Sequence, residues 1–195
     1  MTPLKQNTDE GLRQFFKQFN RFMVLMWRLG LGAWGNRPEV GGSIMVITHT
    51  GRKTGIRRRT PVNYAIVADD IYCTAGFGHV SDWYRNIITN PDLEIWLPDG
   101  RWSGVAEDVS DCEARLSLLR QVLIGSGFAA RVAGINPHTM TDEELAKATT
   151  DYRLIRITRT KARTGPGGPG DLAWVWPVMT LLLLLVLLRP KQRKR

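Results

Sequence analysis

Apolar positions along the chain change their period near residue 40, and that change divides the molecule. At the start they fall at Leu12, Phe15, Phe16, Phe19, Phe22, Met23, Met26 and Leu29, a spacing that predicts one face of a helix opening at Thr8 with Asp9 and Glu10 in its first turn. Arg13, Lys17, Arg21 and Arg28 interleave with that face, so the segment reads as a basic amphipathic helix. Aromatic groups on such a face suit a membrane interface or the entrance for a hydrophobic substrate, although packing on the domain's own core is the commoner use. After a break at Asn36 to Gly42, strand-like runs follow at 44–48, 61–67, 71–75, 93–97, 102–109 and 152–158. Their short connections predict mainly antiparallel pairing, with turn chemistry at Asp69-Asp70 and at Pro98-Asp99-Gly100. Ser110-x-x-Glu113 and Thr141-x-x-Glu144 are capping-box patterns that predict two later helices. Together these give an α+β domain built on a small barrel of about six strands with covering helices.

The remainder of the chain adds an appendage. Residues 159–171 are rich in Gly, Pro and basic side chains and read as a linker. Residues 172–188 then run without a charge between Asp171 and Arg189, with Trp174 and Trp176 near one end. That run predicts a transmembrane or membrane-anchoring helix, and 189–195 form a basic tail. The expected organisation is therefore 1–36 amphipathic helix, 37–158 barrel, 159–171 linker, 172–188 anchor and 189–195 tail.

Charge sharpens this reading. The net charge of +9 first suggests a nucleic-acid binder, but nine Lys or Arg lie from Arg156 onward against Asp171 alone. Residues 1–155 carry 18 basic against 17 acidic groups, so the body is nearly neutral. Basic residues beside an apolar run favour anionic lipid over nucleic acid. Cys73 and Cys112 fit no metal-ligand or CxxC pattern, which makes a reducing compartment the default, and His49, His79 and His138 are too scattered to suggest a metal.

Two segments carry candidate chemistry. His49-Thr50-Gly51-Arg52-Lys53-Thr54-Gly55-Ile56-Arg57-Arg58-Arg59-Thr60-Pro61 places five basic residues within eight positions beside two glycines, a combination suited to phosphate or carboxylate groups. It lacks the order of a P-loop, and a solvated basic hairpin has the same composition. Thr74-Ala75-Gly76-Phe77-Gly78-His79-Val80-Ser81-Asp82-Trp83-Tyr84-Arg85-Asn86 ends a strand in small residues and opens a helix, which Ser81 or Asp82 would cap. The glycines would let a flat ring approach the backbone, the first helical amides would favour an anion, and Trp83 and Tyr84 could wall a ring pocket.

In this order and about twenty residues apart, the two segments resemble the deazaflavin-dependent nitroreductase family. The resemblance rests on Thr48-His49-Thr50-Gly51-Arg52-Lys53-Thr54-Gly55, Arg58, Thr60-Pro61, Ala75-Gly76, Trp83-Tyr84-Arg85-Asn86 and Asn90-Pro91, and covers residues 40 to 110. It implies a split β-barrel of the FMN-binding type that holds the 8-hydroxy-5-deazaflavin coenzyme F-420. Arg52, Lys53 and Arg58 would lie near its phosphate and glutamate tail. Thr60, Pro61 and Ala75, Gly76, Phe77 and Gly78 would lie against the ring, with Trp83 beside it. Phe77 stands where family members commonly carry Lys, which removes a positive charge near the cofactor and keeps FMN as the second candidate. The implied reaction is hydride transfer to a lipophilic acceptor such as a quinone or nitro compound, without a side-chain nucleophile or a metal. The expected setting is the cell membrane with the barrel on the cytoplasmic side, in contact with membrane lipids, with a homodimer left open. A non-catalytic adaptor whose basic loop binds acidic lipid head groups is the alternative from another class.

Overall fold

A computed structural model of the chain describes residues 18–34, 36–37, 42–164 and 170–188. Six strands close an antiparallel barrel: β1 (Ile44–Thr50), β2 (Arg57–Val67), β3 (Asp70–Ala75), β4 (Asp92–Leu97), β5 (Gly100–Asp108) and β6 (Arg153–Ala162), in the order β1-β2-β3-β6-β5-β4. All six expected strands are present in the expected antiparallel sense, and closure leaves little of the exposed sheet edge that otherwise invites aggregation. The β2–β3 connection is a two-residue loop after Val67, since Val67 pairs with Asp70. Ala68 and Asp69 both take positive φ, 48° and 71°, as a type I′ turn requires. Likewise Leu97 pairs with Gly100, which sits at φ 141°.

Alternation builds the interior. Met45, Ile47, Val62, Tyr64, Ile71, Cys73, Ala75, Leu93, Ile95, Leu97, Ala106, Ile155 and Ile157 form one buried cluster, closed at one end by Tyr84 and Ile87. Those two come from helix α2 (Asp82–Thr89), which therefore plugs the barrel. On the outside, residues 18–28 form helix α1, whose Trp27 is buried against Val46 and Trp96. Gly32 makes that contact fit, because a Cβ there would fall 2.2 Å from the Trp27 ring. Helix α3 (Arg115–Gly125) covers another outer face through Leu119 and Val122 against Leu154. Short helices α4 (Phe128–Val132) and α5 (Asp142–Ala148) pack with it through Leu123, Ala130, Ile135 and Leu145. The first helix expected from Thr8 lies partly outside the described residues, and the basic tail 189–195 lies wholly outside them.

Several local expectations need correcting. Thr141 and Glu144 do form a reciprocal capping box on α5. Ser110 does not cap a helix: α3 begins later, at Arg115, and Ser110 instead donates to Asp108 and accepts from the Leu154 amide at 2.9 Å. Ser81 occupies the N-cap position of α2 without a side-chain cap bond. β2 starts at Arg57 rather than Pro61, and β6 runs on to Ala162 instead of stopping at 158. The basic residues in both stretches are strand residues whose pairing with β1 and β5 overrides their loop-like composition.

The apolar C-terminal run forms helix α6 (Val175–Leu187), thirteen residues long and exposed beyond its first, half-buried residue. At 1.5 Å per residue it spans about 20 Å, and among the described residues no helix is long and apolar enough to cross a membrane. The expected spanning helix is thus not found as such. The base of α6 is fixed to the end of α1: Arg28 pairs with Asp171 at 2.8 Å, the Leu172 amide donates to the Arg28 carbonyl at 2.8 Å, and Trp176 Nε1 donates to the Leu29 carbonyl at 2.9 Å.

Candidate active site

Strand pairing opens a gap where the sequence places its chemistry. β2 pairs with β1 along Arg57 to Asn63, but with β3 only from Tyr64 to Val67. The last residues of β3 turn instead to β6, where Ala75 faces Arg153. Between Arg57 and Asn63 the side of β2 turned away from β1 therefore has no strand partner among the described residues. This open edge contains Thr60 and Pro61, and the Ala75–Gly78 corner lies across the parting.

The basic loop closes the same end. Its backbone is self-braced: the Gly51 amide donates to the Ile56 carbonyl at 2.9 Å and the Gly55 amide to the Gly51 carbonyl at 2.8 Å. Arg52 then reaches across to α2. Its backbone amide and Nη1 both donate to Asn86 Oδ1, at 3.1 and 2.9 Å, while Nη2 pairs with Asp82 at 3.0 Å. Since Asn86 Oδ1 accepts both bonds, its Nδ2 is the donor to His49 Nδ1 at 3.3 Å. The other ring nitrogen, Nε2, must then carry the proton and donate to Thr60 Oγ1 at 3.1 Å. One chain of bonds thus runs Arg52, Asn86, His49, Thr60, joining loop, helix, β1 and β2.

Burial makes that chain consequential. His49 and Asn86 are 2% and 3% exposed, so each would be costly to leave unpaired. Desolvation, with the Arg58 cation second, lowers the His49 pKa from 6.5 to about 4, so the imidazole is neutral at physiological pH. Neutrality is also what the bonding pattern requires, because a doubly protonated ring could not accept from Asn86.

The sequence-selected residues distribute as follows. Arg52 is committed largely to α2, which leaves Lys53 and Arg58, both exposed, as the cations turned to solvent. Thr60 and Pro61 are half-buried on the open β2 edge. Ala75 is buried in the same apolar cluster that Trp83 packs against, so strand end and ring wall share one floor. Gly76 and Phe77 are exposed, and Gly78 is buried at φ 56°. A Cβ at Gly78 would lie 2.3 Å from the Asp151 carbonyl oxygen, which explains why glycine stands there. The structure therefore brings the basic loop and the glycine corner to one end of the barrel.

His49, Asn86 and Asp108 at this end were absent from the sequence-based site residues, and Tyr84 was read only as a possible ring wall. His49 was visible as the next inward position after Met45 and Ile47, but the basic run beside it masked that alternation. Tyr84 donates to Asp108, and Asp108 Oδ1 accepts from the Ser110 amide at 2.9 Å. Burial and then the Asp108 bond push the Tyr84 phenol up to about 12. Burial alone would raise Asp108, yet the bonds from Ser110 and Tyr84 outweigh it and its pKa is lowered. Nothing in the sequence spacing signals this pairing, which depends on how α2 sits across β5.

The residues present fit an anionic, planar cofactor. An unpaired strand edge and a glycine corner offer backbone to a flat ring, and exposed Lys53 and Arg58 supply charge-assisted donors for a negative tail.

Comparison with solved structures finds a conserved hypothetical protein from Mycobacterium tuberculosis, 20% identical, covering 64% of this chain and 77% of that one with a TM-score of 0.48. A protein described as an F420 reductase is 16% identical, covering 65% of this chain and 90% of that one with a TM-score of 0.43. Comparison with curated proteins gives no match. The family model described as F420H(2)-dependent quinone reductase matches residues 20–135, well over half the chain, and the protein belongs to that family of deazaflavin-dependent oxidoreductases.

Proposed function

We propose that the protein is a membrane-attached reductase that passes hydride from reduced coenzyme F-420 to a lipophilic acceptor, a quinone first and a nitro compound second. The observation that carries the reading is the bonded path from Arg52 through Asn86 and His49 to Thr60, which fixes the basic loop and the open β2 edge relative to each other. The coenzyme supplies hydride chemistry when bound; the protein's share is placement. Lys53 and Arg58 hold the anionic tail by charge-assisted bonds. The β2 edge at Thr60 and Pro61 and the backbone from Ala75 to Gly78 face the ring, and Trp83 walls one side. His49, neutral and donating to Thr60 Oγ1, leaves the Thr60 hydroxyl hydrogen free to point at a bound acceptor group. No side chain needs to form a covalent bond.

Membrane attachment is supported by α6, whose Leu-rich surface is bare, and by exposed Phe22 and Leu25 on α1, to which α6 is fixed. A barrel held at the lipid surface, on the cytoplasmic side, meets membrane-dissolved acceptors at raised local concentration. The deciding experiment titrates full-length protein in detergent with F-420 and, separately, with FMN, then follows reoxidation of reduced F-420 on adding a lipophilic quinone. Tight F-420 binding with quinone-dependent reoxidation is expected. Binding of acidic lipid with affinity for neither cofactor would establish the adaptor role instead.

A further inference from the structure

β2 alternates its side chains, so the basic run that the sequence presents as one cluster serves two faces. Thr60 turns toward His49. Arg57 and Arg59 turn outward, where Arg57 approaches Glu94 at 3.6 Å and the Arg59 guanidinium lies 4.9 Å from the centre of the Trp96 ring. On that outer side is a hollow of about 680 Å³ between α1, β1, β2, β4 and β5, lined by Arg21, Arg57, Arg59, Arg101 and Thr48 and bordered by Arg58, with Glu94 as its one carboxylate. A second hollow of about 600 Å³ shares Thr48, Arg57, Glu94 and Arg101 and adds Arg163 together with a second carboxylate, Asp92.

Two features mark this surface as under-partnered among the described residues. Four guanidinium groups, those of Arg21, Arg57, Arg59 and Arg101, face a single carboxylate, and Glu94 is already engaged by Arg101 at 2.7 Å and by Trp96 Nε1 at 2.8 Å. Like charges so gathered repel unless an anion joins them, and planar guanidinium groups match the oxygens of a phosphate. The second feature is Thr48, which is 4% exposed and whose Oγ1 is buried without a hydrogen-bond partner among the described residues. A buried hydroxyl in that condition is unfavourable, and a phosphate oxygen would relieve it.

We infer that the arginine hollow is a binding site for the phosphate of an acidic membrane lipid, seated on the opposite face of β2 from the cofactor. The choice of a lipid phosphate follows from the neighbours. Asn20, Arg21 and Val24 of α1 form one wall, and the same helix exposes Phe22 and Leu25. The C-terminal end of α1 is bonded to the base of the bare apolar helix α6. Head group and acyl chains would thus meet charge and apolar surface in one continuous strip. The inference rests on the membrane-attachment reading and adds to it selectivity for acidic lipid at a defined pocket rather than through the tail charges alone.

The test uses full-length protein and vesicles of phosphatidylcholine, with or without a one-third share of phosphatidylglycerol. The double variant Arg21→Gln, Arg57→Gln removes two exposed cations that hold no structural bond shorter than 3.6 Å. A charge-matched control, Arg131→Gln with Lys147→Gln, removes the same charge from α4 and α5. Thr48→Val keeps shape and removes only the orphan hydroxyl, so it should fold at least as well as the parent.

Wild type should bind acidic vesicles at least tenfold more tightly than the Arg21, Arg57 variant, and Thr48→Val should lose about threefold. The control should stay within twofold, and all forms should retain F-420 affinity. Equal binding by wild type and the hollow variant overturns the inference, as does an equal loss in the control, which would mean diffuse charge. Competition by inorganic phosphate at millimolar level would reassign the pocket to a free anion, and competition by F-420 would reassign it to the cofactor tail. If wild type binds no vesicle of either kind, the membrane reading itself fails, an outcome distinct from binding both kinds alike.

Discussion

Protonating His49 should unfold the site, and the size of the effect follows from its surroundings. Burial and the Arg58 cation lower its pKa to about 4 from 6.5. Between those values the unfolded chain binds a proton that the folded chain refuses, so stability is full above pH 6.5 and falls as pH drops toward 4. The limiting loss is about 3.4 kcal/mol, and between pH 7 and pH 4.5 it is about 2.4 kcal/mol. Other groups also lose stability in acid, notably Asp108 and Glu94, whose pKa values are lowered in the fold. The comparison that isolates the imidazole is therefore with His49→Gln, whose amide oxygen can accept from Asn86 and whose amide nitrogen can donate to Thr60 at every pH. Urea unfolding at both pH values, followed by tryptophan fluorescence, gives the difference directly. The variant should gain about 2.4 kcal/mol relative to wild type on going from pH 7 to pH 4.5. Parallel stability curves for the two proteins would refute the buried neutral tautomer and with it the bonded path to Thr60.

Three further outcomes follow from the same geometry. Asn86→Leu strands the Arg52 amide and His49 Nδ1, so it should cost about 3 kcal/mol, a fall in Tm of roughly 6–12 °C by calorimetry, together with weaker F-420 binding. Gly78→Ala must move the Asp151 carbonyl, 2.3 Å from the new Cβ, and should cost more than about 2 kcal/mol. Gly55→Ala, at φ 66° with nothing within 4 Å of the added Cβ, should cost only about 1 kcal/mol, and a reversed order in thermal melts would contradict the packing. In the native protein a thiol reagent should modify half-buried Cys112 and leave Cys73 untouched, because complete burial raises the Cys73 pKa and closes access.

Much of the barrel was legible because each strand carries its own alternation. Met45 and Ile47, Ile71 and Cys73, Leu93 and Ile95 each point their odd members inward, and all lie in one cluster. Thr141 with Glu144 was legible for a different reason: a capping box closes within four residues and needs no tertiary help. Ser110 shows the limit of that reasoning. Its hydroxyl had two competing uses, a helix start and the Asp108–Leu154 junction, and only the pairing of β5 with β6 decides between them. The apolar run 172–188 was legible as exposed and helical, but its length was not. Residues 171–174 form turns in which the Ala173 amide bonds the Gly170 carbonyl at 2.8 Å and the Val175 amide bonds Leu172 at 3.0 Å, so the helix begins only at Val175.

The basic segment 52–59 carries the deepest lesson about the site. Read as a loop, its five cations form one cluster suited to an anion. Folded, the loop ends at Ile56 and a strand begins at Arg57, so a period of two sends successive arginines to opposite faces. Arg52 is drawn inward to Asp82 and Asn86 and becomes a brace. Lys53 and Arg58 stay available beside the open β2 edge, while Arg57 and Arg59 join Arg101 around Glu94 on the far side. Density of charge in a sequence therefore does not measure charge at a site. What fixes the number of cations that a cofactor meets is the residue at which the strand starts, and here that start moves two of the five to another surface.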